Sequence, residues 1–362
     1  MNYSYTFIKK IVFLSFFIST SQLLAQKTDK IHLMFVGDIM NHGPQLKAAY
    51  HPFKNTYDFS NNFKYVDSIF QKADFVIGNL ETTLGVQPYS GYPQFSAPPE
   101  LASDCKKYGF DILATANNHS CDKYKIGIIR TLDILDSLQI NRLGTYRNQK
   151  EKDSLYPLVL EKNNIKIALL NYTYGTNGIP VPYPTIVNLI DKKSIKEDIK
   201  KARLKQPDVI IAFLHWGIQY QNVPSAEQKK LVTFFHQNGV KIIIGAHPHV
   251  IQPVSYENNM LNKTQYLTVY SLGNFISNQR KFPRDGGMIF SLELIKEPNG
   301  KIIIDTYQSI PTWVYKYVKN NKTNYEILPI ETFKYRPDYF MQNSDYQKMM
   351  RYLKHFNKIL KD

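Results

Sequence analysis

The chain has 362 residues, 43 % of them hydrophobic, and its 45 basic against 30 acidic side chains give a net charge of +15. That length holds one large domain or two ordinary ones with ample core, and two cysteines, Cys105 and Cys121, exclude a disulfide framework while leaving both a pair and two buried thiols open. The charge favours acidic partners, but it is spread through the chain with no basic helix, zinc finger or aromatic RNA-binding motif, which excludes nucleic acid.

Lys9 and Lys10 precede the apolar run 11–20 (IVFLSFFIST), and residues 21–25 are a polar, small-residue exit. This is the pattern of a secretory signal cut near Ala25-Gln26. Leu23 suits that cut poorly, so an uncleaved anchor is the alternative. Later apolar runs are too short to span a bilayer.

Residues 31–36 (IHLMFV) read as a first strand, 63–70 as a helix and 74–77 (DFVI) as a second strand. The stretch 86–99, rich in Pro, Gly, Ser and aromatics, reads as a long loop, a candidate lid or substrate rim. Residues 110–114 form a third strand and 126–138 a crossover helix. Asn163-Asn164 between 155–161 and 165–171 predicts a hairpin, and 172–184 is irregular. A charged helix at 192–204 leads to a strand at 208–214 (DVIIAFL). Ser225 and Gln228 fit a capping box for a helix that runs to His236 and stops near Gly239. Residues 240–244 form a buried strand ending on Gly245-Ala246 and His247-Pro248-His249. Strands at 265–271, 288–294 and 301–307 lack long crossovers and read as antiparallel, and 345–360 is a basic amphipathic helix. The domain organisation is a signal at 1–25, one mixed α/β domain at 26–315, and an extension at 316–362.

Chemistry-bearing residues gather at the strand ends: Gly37-Asp38, Gly78-Asn79-Leu80-Glu81, Asn117-Asn118-His119 with Asp122, His215-Trp216, and His247-Pro248-His249. Ser271-Leu272-Gly273-Asn274-Phe275 follows. Asp, Glu, Asn and His bind hard to borderline divalent metals, and α/β sites lie beyond the carboxyl ends of strands. Each motif alone is weak: Asp38 and Glu81 could cap helices or pair with lysines, and Asn118 could be a turn residue. The ordered set points to a metal site. Asp122 reads as orienting a neighbour or capping a helix, Trp216 as core packing, and Asn274 as a donor behind the site or a turn residue. His32, His51, His236 and His355 read as non-functional.

The motifs GD, GNLE, ANNHSCD, HWG, GAHPHV and SLGNF, in this order over residues 31–294, resemble the CapA family of capsule (poly-γ-glutamate) synthesis proteins. That family belongs to the calcineurin-like metallophosphoesterase superfamily. The resemblance implies a four-layer α/β/β/α sandwich with two central mixed sheets. It implies metal ligation by Asp38, Glu81, Asn118, His215, His247 and His249, with Glu81 bridging where two ions bind. On this pattern His249 shares an ion with Asp38, and His247 shares one with Asn118 and His215. His119 is the implied catalytic residue, facing the leaving group. Two positions depart from the superfamily: Met40 replaces a histidine, with His42 a nearby substitute, and Asn79 replaces an aspartate. One or two divalent ions therefore remain open, with Mn, Fe or Zn favoured by the mixed N/O donors.

The function implied is an exported metal-dependent protein, leaning to a hydrolase. It would use metal-activated water in the synthesis, processing or export of an anionic capsular polymer, in the periplasm or at the cell surface. Membrane-embedded capsule-synthesis proteins are the implied partners. The alternatives are a periplasmic phosphoesterase acting on a phosphorylated substrate and a non-catalytic scaffold that binds polyanions. The oligomeric state has no signal in the sequence.

Overall fold

The computed structural model describes residues 29–259 and 264–361; the signal segment and its cleavage point lie outside the described residues. β1 (Asp29–Ile39) turns Leu33 and Phe35 to one face and Met34 and Val36 to the other, all buried. A strand apolar on both faces must be covered on both. Beside it, all parallel, run β2 (Phe75–Leu80), β3 (Ile112–Ala114) and β4 (Asn141–Leu143). A second sheet has the order β5 (Leu158–Lys162), β6 (Ile165–Thr173), β7 (Val209–His215), β8 (Ile242–Ala246), β10 (Thr264–Val269), with β9 (Val254–Asn259) at its edge. The hairpin of β5 and β6 turns on Asn163 and Asn164, both with left-handed backbone, as a tight two-residue connection requires.

The chain then returns to the first sheet. β11 (Asn274–Ile276) pairs with the end of β1, and β12 (Gly286–Lys296), β13 (Ile302–Lys319) and β14 (Lys322–Pro329) continue antiparallel from it. The main core lies between the sheets, where Leu33, Phe35 and Ile77 meet Ile167, Ile211 and Ile244. Outside the first sheet pack α1 (Ser60–Phe63), α2 (Asp67–Phe70), α3 (Glu100–Lys107) and α4 (Tyr124–Ser137). Outside the second pack α5 (Lys192–Leu204) and α6 (Ala226–Gln237), whose Ser225–Gln228 capping box is formed as expected. This is the four-layer α/β/β/α sandwich.

Several expectations change. The helix expected at 63–70 is two single turns, although Phe63, Val66 and Phe70 still reach the core. β10 is antiparallel to β9 but parallel to β8. The boundary at 315 cuts through β13, so residues 316–362 are not an appendage: β14 extends the same sheet, and α7 (Asn343–Lys361) buries Met349, Tyr352 and Phe356 in the main core. At about 1.5–3 kcal/mol per buried large apolar side chain, that face is integral to the fold. Cys105 and Cys121 are free and buried in separate apolar clusters. Among the described residues no helix is long and apolar enough to cross a membrane.

Candidate metal centre

Strand alternation decides which residues face the gap between the sheets. On β7, Ile211 and Phe213 point inward, and so therefore does His215. On β2, Ile77 points inward, which carries Asn79 and, just past the strand, Glu81 to the same side. β1 needs a change of phase, because its inward residues are Leu33 and Phe35 and Asp38 is out of step with them. The register shifts between Val36 and Asp38, with Gly37 as the extra residue, and Ile39 accordingly falls on the outer face. Glycine is needed there because a Cβ would fall onto the Gly273 carbonyl oxygen, which accepts the Asp38 N–H at 3.0 Å. Beyond β8, His247 (φ 99°) and His249 (φ 58°) adopt left-handed backbone. For residues other than glycine this costs about 1–3 kcal/mol each, a strain that collects at functional sites.

The converging side chains form one buried cluster. Glu81, His215 and His247 bring ligand atoms together in one group, and Asp38, Glu81 and His249 in a second, so Glu81 is common to both. His215 Nε2 lies 2.6 Å from Asn118 Oδ1 and 3.1 Å from His247 Nδ1. His249 Nδ1 lies 2.9 Å from Asp38 Oδ2. Glu81 is fully buried, yet neither of its carboxylate oxygens has a hydrogen-bond partner. Such a group costs about 1–3 kcal/mol, and more when charged, unless a cation meets it. Burial raises the Glu81 pKa well above the carboxylate range, and the charge of Asp38 adds to it. Burial also pushes the Asp38 pKa up, but the hydrogen bond and charge of His249 more than offset this and leave it lowered. Burial, then the neighbouring His247, holds the His215 pKa well below its usual value, and burial, then His249, lowers that of His247 to about 3. Imidazoles kept neutral beside orphaned carboxylate oxygens are a donor set that fits a divalent cation.

The other candidates take distinct places. Asn79 Nδ2 donates to Asp38 Oδ1 at 2.8 Å and approaches His215 Nδ1 at 3.1 Å, so that nitrogen fastens two neighbours. His42 lies outside both groups: its Nδ1 is 3.3 Å from Gln45 Oε1 and from the Asn278 N–H, and its ring meets the Phe95 edge. It forms a wall, as Met40 does. His119 also stands outside both groups, with Nδ1 2.7 Å from Asp122 Oδ2. Asp122 further accepts the Phe95 N–H at 2.6 Å, so it orients rather than ligates. Asn274 sits opposite Asp38 in the β1–β11 register and donates to the Arg284 carbonyl at 2.8 Å. Trp216 is buried in the outer core, its Nε1–H bonded to the Tyr270 carbonyl.

A cleft of about 880 Å³ opens above the cluster, with Asn118, His119 and His249 in its wall. Several residues packed around the cluster carried no signal in the sequence. Tyr174 lies against His247, ring centroids 4.6 Å apart, and Asn177 accepts from Asn118 Nδ2 at 3.1 Å. Phe95 packs its ring 4.6 Å from that of His119. These come from aperiodic loops, where residue type alone does not separate a wall from surface. Arg280, Lys281 and Arg284, which follow the SLGNF motif and were not singled out from the sequence, also line the cleft.

Comparison with known proteins shows the family and the fold. The chain is 29 % identical over 269 residues to a capsule biosynthesis protein, CapA, of Bacillus anthracis, covering 70 % of this chain and 61 % of that one. It is 27 % identical over 316 residues to a PGA biosynthesis protein, CapA, of Bacillus subtilis (strain 168), covering 84 % and 79 %. In fold it is similar to the NAD nucleotidase of Haemophilus influenzae, with a TM-score of 0.52 at 14 % identity over 92 % of this chain and 68 % of that one. Residues 32–279 match the family model of the bacterial capsule synthesis protein PGA_cap. With most of the chain matched and the strand-end motifs gathered at one centre, the chain belongs to the PGA_cap family of bacterial capsule synthesis proteins.

Proposed function

We propose that this protein is an exported metal-dependent hydrolase or transferase that acts on an anionic capsular polymer, poly-γ-glutamate by its resemblance to the CapA family, two relatives being named for capsule and for PGA biosynthesis. The observation that carries the reading is Glu81, buried and unpartnered between two groups of ligand atoms, with the His119–Asp122 pair beside them and free of both. Asp38, Glu81 and His249 would hold one cation, and Glu81, His215 and His247, with Asn118, a second. Bound cations supply Lewis-acid polarisation and acidified water near neutral pH.

The chain's own residues do the rest. Asp122 accepts the Nδ1–H of His119, which fixes the tautomer and leaves Nε2 to pass a proton to a departing amine or alkoxide. Phe95 packs edge-on against His119 and Tyr174 lies against His247, so each ring helps to hold one of these imidazoles in place. Capsule-synthesis proteins in the membrane are the proposed partners. The test is to incubate Mn-loaded protein with poly-γ-glutamate and follow chain length and released amine. Shortening or transfer that disappears in His119→Ala is expected. An unchanged polymer, with rapid turnover of an aryl phosphate, would replace this reading by a phosphoesterase.

A further inference from the structure

The wall of the cleft carries three cations, Arg280, Lys281 and Arg284, on the segment between β11 and β12. None of them forms an ion pair among the described residues. The acid beside them in sequence, Asp285, is buried and accepts from Trp313 Nε1 at 2.9 Å through Oδ2; its charge and that of Asp345 act on Arg280 without forming an ion pair with it. The acid in the cleft wall, Asp122, is committed to His119 and the Phe95 N–H. Cations left without partners in a concave wall create a field that an anion would complete.

Their placement is built rather than incidental. The Arg284 guanidinium lies over the Tyr220 ring, 3.2 Å from its centroid, and that ring lies 5.8 Å from the ring of His249. Tyr220 is tied to the histidine turn, its N–H donating to the Pro248 carbonyl at 2.8 Å. Asn274, the register partner of Asp38, holds the backbone carbonyl of Arg284. Arg280 spends Nη1 on the Val314 carbonyl at 2.7 Å and packs over Trp313, leaving its other donors unspent on the protein. Burial presses the Arg280 pKa downward, a penalty that a neighbouring anion would relieve. A planar guanidinium fixed by stacking has little rotamer freedom left to lose and matches a carboxylate or phosphate with two parallel donors.

We propose that Arg280, Lys281 and Arg284 form a subsite for an anionic group, a carboxylate or a phosphate, on the substrate unit next to the bond at the metal centre. This rests on the reading of that centre as a site for an anionic substrate. For a polymer with one carboxylate on every unit, the subsite sets which bond reaches the centre and distinguishes the polymer from a neutral amide.

The test uses Mn-loaded full-length protein and calorimetric titration with two probes, a γ-linked glutamate oligomer and inorganic phosphate. The variant is Arg280→Gln/Lys281→Gln/Arg284→Gln. The control, Lys193→Gln/Lys196→Gln/Lys200→Gln, removes the same charge from the exposed face of α5. Bound Mn is measured in all three proteins, so that loss of the centre is seen separately. Weakening of oligomer binding by about tenfold or more in the variant, with the control within about twofold of wild type, is expected and assigns a carboxylate. The same loss for phosphate alone assigns a phosphate. Equal affinity of variant and wild type for both probes, or equal losses in variant and control, overturns the subsite and leaves the metal centre standing. Wild-type protein that holds Mn and binds neither probe overturns the subsite and the anionic-substrate reading together.

Discussion

Glu81 Oε1 stands 3.8 Å from Nε2 of His249, beyond hydrogen-bonding reach and at the separation of about 3–4 Å that two ligands of one cation take. The same oxygen is 3.6 Å from His215 Nε2 in the other group. Glu81 is therefore common to two groups of ligand atoms, whereas His249 belongs to one. After Mn reconstitution, wild-type protein is expected to hold two equivalents by elemental analysis, since two donor groups share one bridge. His249→Ala should keep the ion of the other group, and Glu81→Gln should hold neither. A Glu81→Gln protein with full occupancy would show that the carboxylate is not the bridge.

Glu81 also predicts a conflict between stability and metal binding. Its pKa in the fold is raised above the usual 4.5 by burial and Asp38. The stability it contributes is therefore fully present below 4.5 and lost as pH rises through the raised value. Metal-free wild-type protein at neutral pH thus bears the cost either of a buried charge or of the proton taken up to remove it. Metal-free Glu81→Gln should be more stable than metal-free wild type by about 1–3 kcal/mol at neutral pH, with the gap closing near about pH 4. Urea midpoints at the two pH values check this, and a less stable variant at neutral pH would refute it.

Much of this centre was legible because period-two patterning and the residue after it share one phase. His215, Asn79 and Glu81 continue the alternation of Ile211, Phe213 and Ile77, so their direction follows from the strands themselves. The shift at Gly37 was not legible: one extra residue reverses Asp38, and nothing in the order of residues marks it. β9 was missed because its sequence, Val-Ser-Tyr-Glu-Asn-Asn, is that of a polar edge. The place of His42 was open because a histidine near a motif does not reveal which way a helix cap turns it. In the fold it starts the helix Gly43–Ala49 and faces Phe95.

The shift at Gly37 gives a stability prediction. The closest approach of β1 to the Gly273 turn occurs where a Cβ would meet a backbone oxygen, so relief requires backbone movement. Gly37→Ala should cost about 1–3 kcal/mol in denaturant unfolding and reduce bound metal, because Asp38 moves with it. An unchanged midpoint with unchanged metal content would show that the turn yields at no cost.

His119 and Asp122 should separate catalysis from metal binding. Neither belongs to a ligand group, and Asp122 is hydrogen-bonded to His119 rather than to a ligand. His119→Ala should lower turnover by about 10²–10⁴-fold with metal content unchanged. Asp122→Asn, which removes the charge that fixes the tautomer, should lower kcat more than it raises KM. Loss of metal in both variants would move this pair into the coordination sphere.

The buried histidines predict acid sensitivity of the metal-free protein. Burial lowers the pKa of His42 to about 4 and that of His247 to about 3, from 6.5. Below 6.5 the unfolded chain takes up protons that the fold refuses, so the stability these residues contribute above 6.5 is lost as pH falls toward those values. Each group contributes at most about 1.4 kcal/mol per pH unit across that window. Glu81 acts in the opposite direction, so the measurement belongs in metal-free Glu81→Gln, where its contribution is gone. Stability there should fall steadily from about pH 6.5 to 4.5, and adding His42→Gln should flatten the slope. A slope unaffected by His42→Gln would mean that its ring takes up a proton in the fold as readily as in the unfolded chain.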